Sequence, residues 1–390
     1  MMNYYVRWDN PSIVLYIICG FIFMLCCYHY KEKKIRNNIN KNTILYFMPV
    51  LVVWIGIAVF RLVTLEVGGT DAPTYILYFE RCLEFNLNYN MDLGFALFTK
   101  AIRLVSDDYH VFFLIYYTII ITSIIYFVKE FIGVETSIIP LSISFFLYLR
   151  SFTSMRSNFA IAFIMFSIIA LKKERYYICF ITAIIALLSH TSSLVYVGFI
   201  VFYFVNKDKN LRIWQSILIL IVMFFAGTLV QALFNNGSLS FLSDVGSGAY
   251  ASYARRSIGK NIFLNYSVSN IPQLVLFLAL ILLRKKVDYV ISASDKANSK
   301  RIAMLRTMSY YDFFVVPVIF VLSIYRGYEY FYIARLLMWG ELIPLFNGYF
   351  TKGSKKIITF LFLTVFVVWM IGRVEATYQT SHLMPYIFSF

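Results

Sequence analysis

The residue best suited to acid–base chemistry in this sequence is His190. It lies between two apolar runs and has no charged neighbour, unlike the other three histidines. An imidazole titrates near neutral pH, so it can take a proton from a hydroxyl group. The alternative is a histidine that only hydrogen-bonds a carbonyl group at a helix turn. The sequence therefore offers His190 as the candidate general base.

Arginines form the second group of candidates, because a guanidinium keeps its charge and binds phosphate oxygens through paired hydrogen bonds. Arg150 and Arg156 bracket a short polar turn, and Arg335 lies inside an apolar run, where a charge needs a partner or an aqueous cavity. The pattern favours a diphosphate ligand at a membrane surface; the alternative is that these side chains reach lipid headgroups. The candidates at predicted outer helix ends are Arg61, Arg150, Arg156, Arg326, Arg335 and Arg373.

Asp71 is the candidate carboxylate, and it closes the run Gly68-Gly69-Thr70-Asp71 shortly before Pro73. It could orient a sugar hydroxyl or pair with an arginine, but the same run is typical of a turn and a helix start. Asp312 is expected to cap a helix or to pair with a basic loop. No HExxH, GxSxG, Walker or CxxC pattern occurs, so the sequence predicts no metal and no cofactor.

The composition places these residues in a membrane protein. Of 390 residues 60% are hydrophobic and 14% are charged, which excludes a soluble enzyme, a disordered chain and a nucleic-acid-binding domain. The sequence predicts an all-α, polytopic domain over residues 1–390 with about 12 transmembrane helices. The predicted spans are 12–28, 43–65, 110–128, 138–149, 157–171, 176–189, 191–205, 213–234, 266–283, 310–325, 330–350 and 357–372.

The basic residues predict the orientation of these spans. If the cluster at 31–36 is cytoplasmic, every second loop after it holds most of the Lys and Arg, 22 of the 35. Both ends of the chain then face outward, and the net charge of +15 needs no nucleic acid as a partner. Two outward segments, 66–109 and 235–265, are longer than connectors. The first contains an amphipathic run at 93–104 that we expect in the outer interface, with Lys100 and Arg103 toward water.

The order of these motifs resembles the EpsG family of bacterial polysaccharide polymerases, which includes O-antigen and capsule polymerases of the Wzy type. The resemblance covers nearly the whole chain, although the stretch between Arg61 and Gly69 is longer than in the family pattern. The segments that carry it are Arg61, Gly69–Glu80, Asp92–Phe98, Met155–Ala162, Ala186–Leu194, Tyr325-Arg326, Tyr332–Arg335 and Met384–Tyr386.

The resemblance implies a GT-C-like membrane glycosyltransferase that uses no metal. Such enzymes transfer a growing glycan from undecaprenyl diphosphate to the next lipid-linked repeat unit at the outer face of the bacterial cytoplasmic membrane. On this interpretation His190 and Arg156 are catalytic, and the substrate is bound by Asp71, Arg61, Arg150, Arg326 and Arg335. The expected partners are undecaprenyl-diphosphate-linked oligosaccharide, membrane lipid, a chain-length regulator and a flippase.

Three other functions fit a chain of this composition. A flippase or other transporter would line a path through the whole membrane with polar groups and would show repeat symmetry, whereas here the polar groups gather at one predicted face. An O-antigen ligase would move finished glycan to a lipid anchor. A membrane acyltransferase would modify sugars without changing chain length.

Overall fold

The computed structural model of the chain is built from helices, which confirms the all-α prediction. It describes residues 10–35, 43–84, 91–133, 138–206, 210–235, 271–321, 329–347, 382–383 and 386–389. Within these ranges the β-type pairing is an isolated antiparallel bridge between Arg61 and Phe388. The α-helices are α1 (Asn10–Ile35), α2 (Met48–Val59), α3 (Ala72–Arg81), α4 (Leu93–Arg103), α5 (Tyr109–Phe131), α6 (Ile138–Ile143), α7 (Met155–Lys172), α8 (Tyr176–Ser189), α9 (Leu194–Asn206), α10 (Ile213–Asn235), α11 (Ile271–Leu282), α12 (Arg284–Ala293), α13 (Lys296–Phe314), α14 (Val316–Val321) and α15 (Tyr332–Asn347).

The chain divides into two compact units, of which the first comprises residues 1–86, 97–162 and 347–390. In this unit α2 packs on both α1 and α5, and α1 packs on α6. Trp54 of α2 lies at the centre of this packing. Its ring stacks on Tyr148 with 4.3 Å between centroids, and its indole N–H donates to the Cys19 carbonyl at 3.1 Å. The core of the first unit therefore lies among α1, α2 and the helical segment that follows α6.

The second unit comprises residues 87–96 and 163–346, and the division falls within α4 and α7. Its central element is α13, which packs on α9, α11 and α12. All residues of α13 from Arg301 to Phe314 are buried, including the charged ones. Buried charges need partners, and Arg306 finds one in Asp288 of α12 at 2.8 Å.

Among the residues that the structure describes, three helices are long and apolar enough to cross a membrane, namely Pro11–Lys33, Tyr109–Phe131 and Met155–Lys172, and several shorter apolar helices accompany them. Each predicted apolar run within the described residues overlaps a helix. The run 357–372 lies outside the described residues. The count of about 12 spans, the orientation of both ends and the single domain over 1–390 stay predictions.

Two sequence-based boundaries can be compared with the helices. The helix that contains the start of the predicted span 310–325 begins earlier than the span, because α13 starts at Lys296, where the Asp295 carboxylate caps it by accepting the Asn298 N–H. The amphipathic run in the segment 66–109 does form a helix, α4. Most of the Arg103 side chain on this helix is shielded from solvent, since it pairs with Asp107 and lies 5.5 Å from the Phe79 ring centroid. Of the segment 235–265, residues 236–265 lie outside the described part of the chain.

Candidate functional site

The turn formed by residues 68–71, called here the Gly68–Asp71 turn, is held in the first unit by its backbone. Gly68 and Gly69 have φ angles of +88° and +113°, a region that side chains with a β-carbon rarely adopt. The Gly69 N–H donates to the His382 carbonyl at 3.2 Å. A β-carbon added at Gly69 would collide with the Phe152 carbonyl oxygen. The turn therefore approaches the segment 149–153 so closely that only glycine fits.

Asp71 directly precedes α3, yet its side chain makes no capping hydrogen bond. Its carbonyl accepts the Tyr75 N–H at 3.3 Å, as at the start of an ordinary helix. The carboxylate is half-buried. The run is therefore a turn followed by a helix start, as the alternative for Asp71 predicts, although no capping hydrogen bond comes from its side chain. The assignment of Asp71 to a sugar hydroxyl stays a prediction.

Tyr75 connects Asp71 to Arg156. The Arg156 Nε donates to the Tyr75 hydroxyl at 3.3 Å, and Arg156 lies in the first turn of α7. Tyr75 follows Asp71 by four residues, so both side chains lie on one face of the helix start. Tyr75 is not among the site residues predicted from sequence, although its four-residue spacing from Asp71 was the available signal.

The polar stretch between Arg150 and Arg156 is a compact turn, as the sequence predicts. The Arg150 carbonyl accepts the Thr153 N–H at 3.1 Å, the Thr153 hydroxyl at 3.0 Å and the Asn158 amide at 3.4 Å. Several donors on one carbonyl hold the chain between α6 and α7 tightly. The side chains of Arg150 and Arg156 are half-buried, so part of each side chain stays accessible at the surface.

Arg61 lies beneath the Gly68–Asp71 turn. Its side chain is buried, its Nε donates to the Gly68 carbonyl at 3.0 Å, and one terminal nitrogen donates to the Ala58 carbonyl at the end of α2. The guanidinium carbon lies 4.4–5.0 Å from the centroids of three rings, which is cation–π distance. These rings belong to Phe113, Tyr117 and Phe152. Arg61 thus contacts the backbone of the turn, and diphosphate binding by Arg61 stays a prediction.

His190 occupies the junction between α8 and α9 in the second unit. Its backbone is extended, with φ −160° and ψ 117°. Its N–H donates to the Ala186 carbonyl at 3.0 Å, and its carbonyl accepts the Ser193 N–H at 2.9 Å. The side chain is half-buried. The backbone of the predicted base is therefore fixed on both sides by the ends of two helices.

The start of α4 packs on this junction. The Thr191 hydroxyl donates to the Asp92 carboxylate at 3.4 Å. A β-carbon on Gly94 would lie 2.8 Å from the Ser189 hydroxyl oxygen and 2.9 Å from the Ser189 nitrogen. Asp92 and Gly94 belong to a segment that resembles the EpsG family, but neither is among the site residues predicted from sequence.

A tyrosine joins the His190 junction to the helix that carries Arg335. The Ser192 and Tyr330 hydroxyl groups lie 2.6 Å apart, and both side chains are buried. Arg335 follows in α15, where its Nε and a terminal nitrogen contact the two Asp312 oxygens at 2.8 and 3.1 Å. The predicted partner for Arg335 is thus Asp312. The prediction that Asp312 caps a helix or pairs with a basic loop was wrong.

The structure groups the predicted site residues by unit. In the first unit, hydrogen bonds and backbone contacts bring together the Gly68–Asp71 turn, Arg61, the Arg150 turn and Arg156. His190 and Arg335 belong to the second unit. Arg326 and Arg373 lie outside the described residues. The catalytic and substrate-binding roles of all these residues stay predictions.

Comparison with known protein families gives a match. The model of the EpsG family matches residues 44–388, and this range contains both groups of candidate residues. No curated protein and no solved structure matches the chain. Since the family model covers nearly the whole sequence, the chain belongs to the EpsG family, the family of Wzy-type polymerases.

Proposed function

We propose that this protein polymerises lipid-linked oligosaccharide repeat units as a multi-pass protein of the bacterial cytoplasmic membrane. The observation that carries the proposal is the family match over residues 44–388. The substrate is oligosaccharide linked to undecaprenyl diphosphate, and the product is a longer glycan for O-antigen, capsule or exopolysaccharide. Membrane lipid surrounds the protein, and a flippase and a chain-length regulator are its partners.

The contacts within each unit support the predicted topology. In the first unit the segments at residues 61–69, 152–153 and 382–389 contact one another, and all three are predicted to be outward. In the second unit Asp92 bonds Thr191, and both residues are predicted to be outward. Lys300 bonds Glu174 at 2.6 Å, and both of these are predicted to be inward. These pairings agree with spans that alternate in direction.

The reaction breaks the bond between a sugar and the diphosphate and forms a glycosidic bond between two sugars. The acceptor hydroxyl oxygen attacks the anomeric carbon of the growing glycan, and His190 takes the hydroxyl proton. The bond between that carbon and the diphosphate oxygen breaks, and undecaprenyl diphosphate leaves with the electron pair. A positioned base of this kind contributes typically 10²–10⁴-fold to a rate.

Arginines supply the countercharge for the leaving group. Arg156, Arg326 and Arg335 bind the diphosphate oxygens as negative charge develops there, and Arg150 and Arg61 support them. A preorganised cation in a site shielded from water is worth several kcal/mol in the transition state. Asp71 accepts a hydrogen bond from the acceptor sugar. The half-buried positions of Arg150, Arg156 and Asp71 in one unit support this division of roles.

The test is polymerisation of purified lipid-linked repeat units by the detergent-solubilised full chain. His190→Ala and Arg156→Ala are expected to abolish chain growth at normal protein levels. His29→Ala and Arg175→Ala are matched controls, because both residues are exposed and lie in predicted inward loops, and chain growth should continue. Normal chain growth by both His190→Ala and Arg156→Ala would overturn the assignment.

The phenotype of a deletion strain separates this function from its rivals. Loss of a polymerase leaves single repeat units attached at the surface. Loss of a flippase leaves none, and loss of a ligase leaves long chains that are not coupled to the anchor. Either of the latter two results would contradict the proposal.

A further inference from the structure

Residues 382–389, called here the return segment, pair with the chain just after α2. Of this segment the structure describes 382–383 and 386–389. The Leu62 N–H donates to the Ile387 carbonyl at 2.7 Å, and the Ser389 N–H donates to the Phe60 carbonyl at 2.7 Å. These bonds flank the antiparallel bridge between Arg61 and Phe388. The return segment therefore fixes the backbone of the residue whose side chain supports the Gly68–Asp71 turn.

The return segment also bonds the turn region directly. The His382 carbonyl accepts the Gly69 N–H at 3.2 Å. The His382 Nδ1 lies 3.0 Å from the Leu65 carbonyl, to which it donates as N–H. Gly69 thus lies between His382 on one side and the Phe152 carbonyl on the other. Both contacts are needed to define the path of the turn, since glycine by itself permits many backbone conformations.

Two tyrosines fasten the return segment to the helices beneath it. The buried Tyr16 hydroxyl of α1 donates to the Leu383 carbonyl at 2.7 Å. The Tyr386 hydroxyl donates to the Ile57 carbonyl of α2 at 2.8 Å, and its N–H donates to the Ser12 hydroxyl at 2.7 Å. Burial raises the pKa of Tyr386 above its ordinary value, so this hydroxyl keeps its proton at physiological pH. The segment is therefore held by side chains as well as by backbone.

We infer that the return segment positions the Gly68–Asp71 turn for the acceptor sugar, with Tyr16 and Tyr386 as positioning residues. The inference rests on the proposed function for the role of Asp71. Its structural content is independent of that role, because the bonds to Gly69 and Arg61 determine where Asp71 lies whatever the acceptor is. If the return segment only stabilised the fold, weakening its hydrogen bonds would instead destabilise the whole first unit.

The test measures how often the turn opens, using thiol labelling at the two ends of α3. Ala72 is fully buried at the start of this helix, and its N–H bonds the Gly69 carbonyl, so Ala72→Cys reacts only when the turn opens. Native Cys82 is fully buried at the other end and serves as the internal reference. In the reporter protein, Tyr16→Phe and Tyr386→Phe each remove one hydroxyl donor. Tyr28→Phe on α1 is the matched control, since its hydroxyl bonds Glu32 at the surface.

The expected result is faster labelling of Ala72→Cys by roughly fivefold for each hydrogen bond lost. Labelling of Cys82 should be unchanged, and Tyr28→Phe should change neither rate. Equal acceleration at both ends of α3, or no acceleration at either, would overturn the inference.

An activity readout separates this inference from the proposed function. In the chain without the reporter, Tyr386→Phe should raise the concentration of lipid-linked unit needed for half-maximal chain growth several-fold at normal protein levels. Asp71→Asn should do the same. If Asp71→Asn polymerises normally while the labelling result holds, the role of Asp71 fails and the positioning of the turn stands. If chain growth by Tyr386→Phe is unchanged while Asp71→Asn is impaired, the inference fails.

Discussion

Gly69 and Arg61 show how single residues build the Gly68–Asp71 turn of the first unit. Arg61 is a buried cation whose bonds within the described residues go to backbone carbonyl groups and aromatic faces. Such a guanidinium acts as a fixed support, because moving it would break several contacts at once. Gly69 has the complementary role, since the absence of a side chain lets the turn reach the Phe152 carbonyl.

Gly69→Ala should therefore lower both the stability of the protein and its chain growth, whereas alanine at a glycine inside a helix should lower neither. The left-handed backbone alone costs about 1–2 kcal/mol for alanine, and the collision with Phe152 adds to it. Gly56→Ala in α2 is the control, since nothing lies within 4 Å of its added β-carbon and alanine favours the helix. Thermal denaturation in detergent and the polymerisation assay should both separate the two variants. Wild-type behaviour of Gly69→Ala would contradict the role given to the turn.

Asp108 gives a prediction about pH. It caps α5 by accepting the His110 N–H at 2.8 Å, and this bond holds the pKa of Asp108 below its ordinary value. A lowered folded-state pKa means that the stabilisation is present above the unfolded value, roughly 3.9, and is lost as the pH falls through the folded value.

Asp108→Ala should cost about 1 kcal/mol at neutral pH, as loss of a helix cap does. The denaturation midpoint measured from pH 7 downward should show this difference shrinking below the unfolded pKa. Asp108→Asn keeps an acceptor oxygen without a titrating group and is the control. A difference that grows in acid would show that the sign of the pKa shift is wrong.

At the scale of elements, two buried ion pairs specify how α13 and α15 pack. Arg301 and Asp312 lie on α13, and their partners Glu341 and Arg335 lie on α15, so each helix carries one charge of each sign. Both pairs are almost fully buried. Sliding one helix along the other would bury unpaired charges, which is costly. The pairs therefore define one register between these helices.

Asp312→Ala should destabilise the second unit by about 3–5 kcal/mol, because it leaves the Arg335 charge buried without its carboxylate. The double variant Asp312→Leu with Arg335→Met should recover most of this loss in thermal denaturation. Glu174→Ala breaks a surface pair and should change stability little. If the double variant is as unstable as the single one, the packing of the helices does not depend on the balance of charge. Under the proposed function the double variant regains stability but not chain growth.

The sequence predicts the helices better than it predicts the side-chain contacts between them. Apolar runs predict helices because burial of the backbone requires internal hydrogen bonds, and each predicted run within the described residues overlaps a helix. The sequence predicts that Arg335 needs a partner but does not identify it, since Asp312 is 23 residues away and no local pattern points to it. The bonds from Tyr386 to Ser12 and Ile57 span more than 300 positions, beyond the reach of any periodicity.

For the whole molecule, the predicted orientation can be checked by labelling intact cells. The native cysteines are all buried, so single introduced cysteines report with little background. Val105→Cys, at an exposed position that is predicted to be outward, should react with a membrane-impermeant thiol reagent. Lys285→Cys, at an exposed position that is predicted to be inward, should react only after the cells are opened. The reverse pattern would invert the topology and place the proposed chemistry on the cytoplasmic side.

The long-range bonds of the return segment impose an order on biosynthesis. All residues of the second unit have been translated once position 346 is reached, whereas the first unit needs residues up to 389. Until then the ends of α1 and α2 lack the bonds that Ser12, Tyr16 and Ile57 make with the return segment. The ribosome thus completes the first unit only after all of the second unit has been translated, and the insertion machinery must accommodate an open first unit until the return segment arrives.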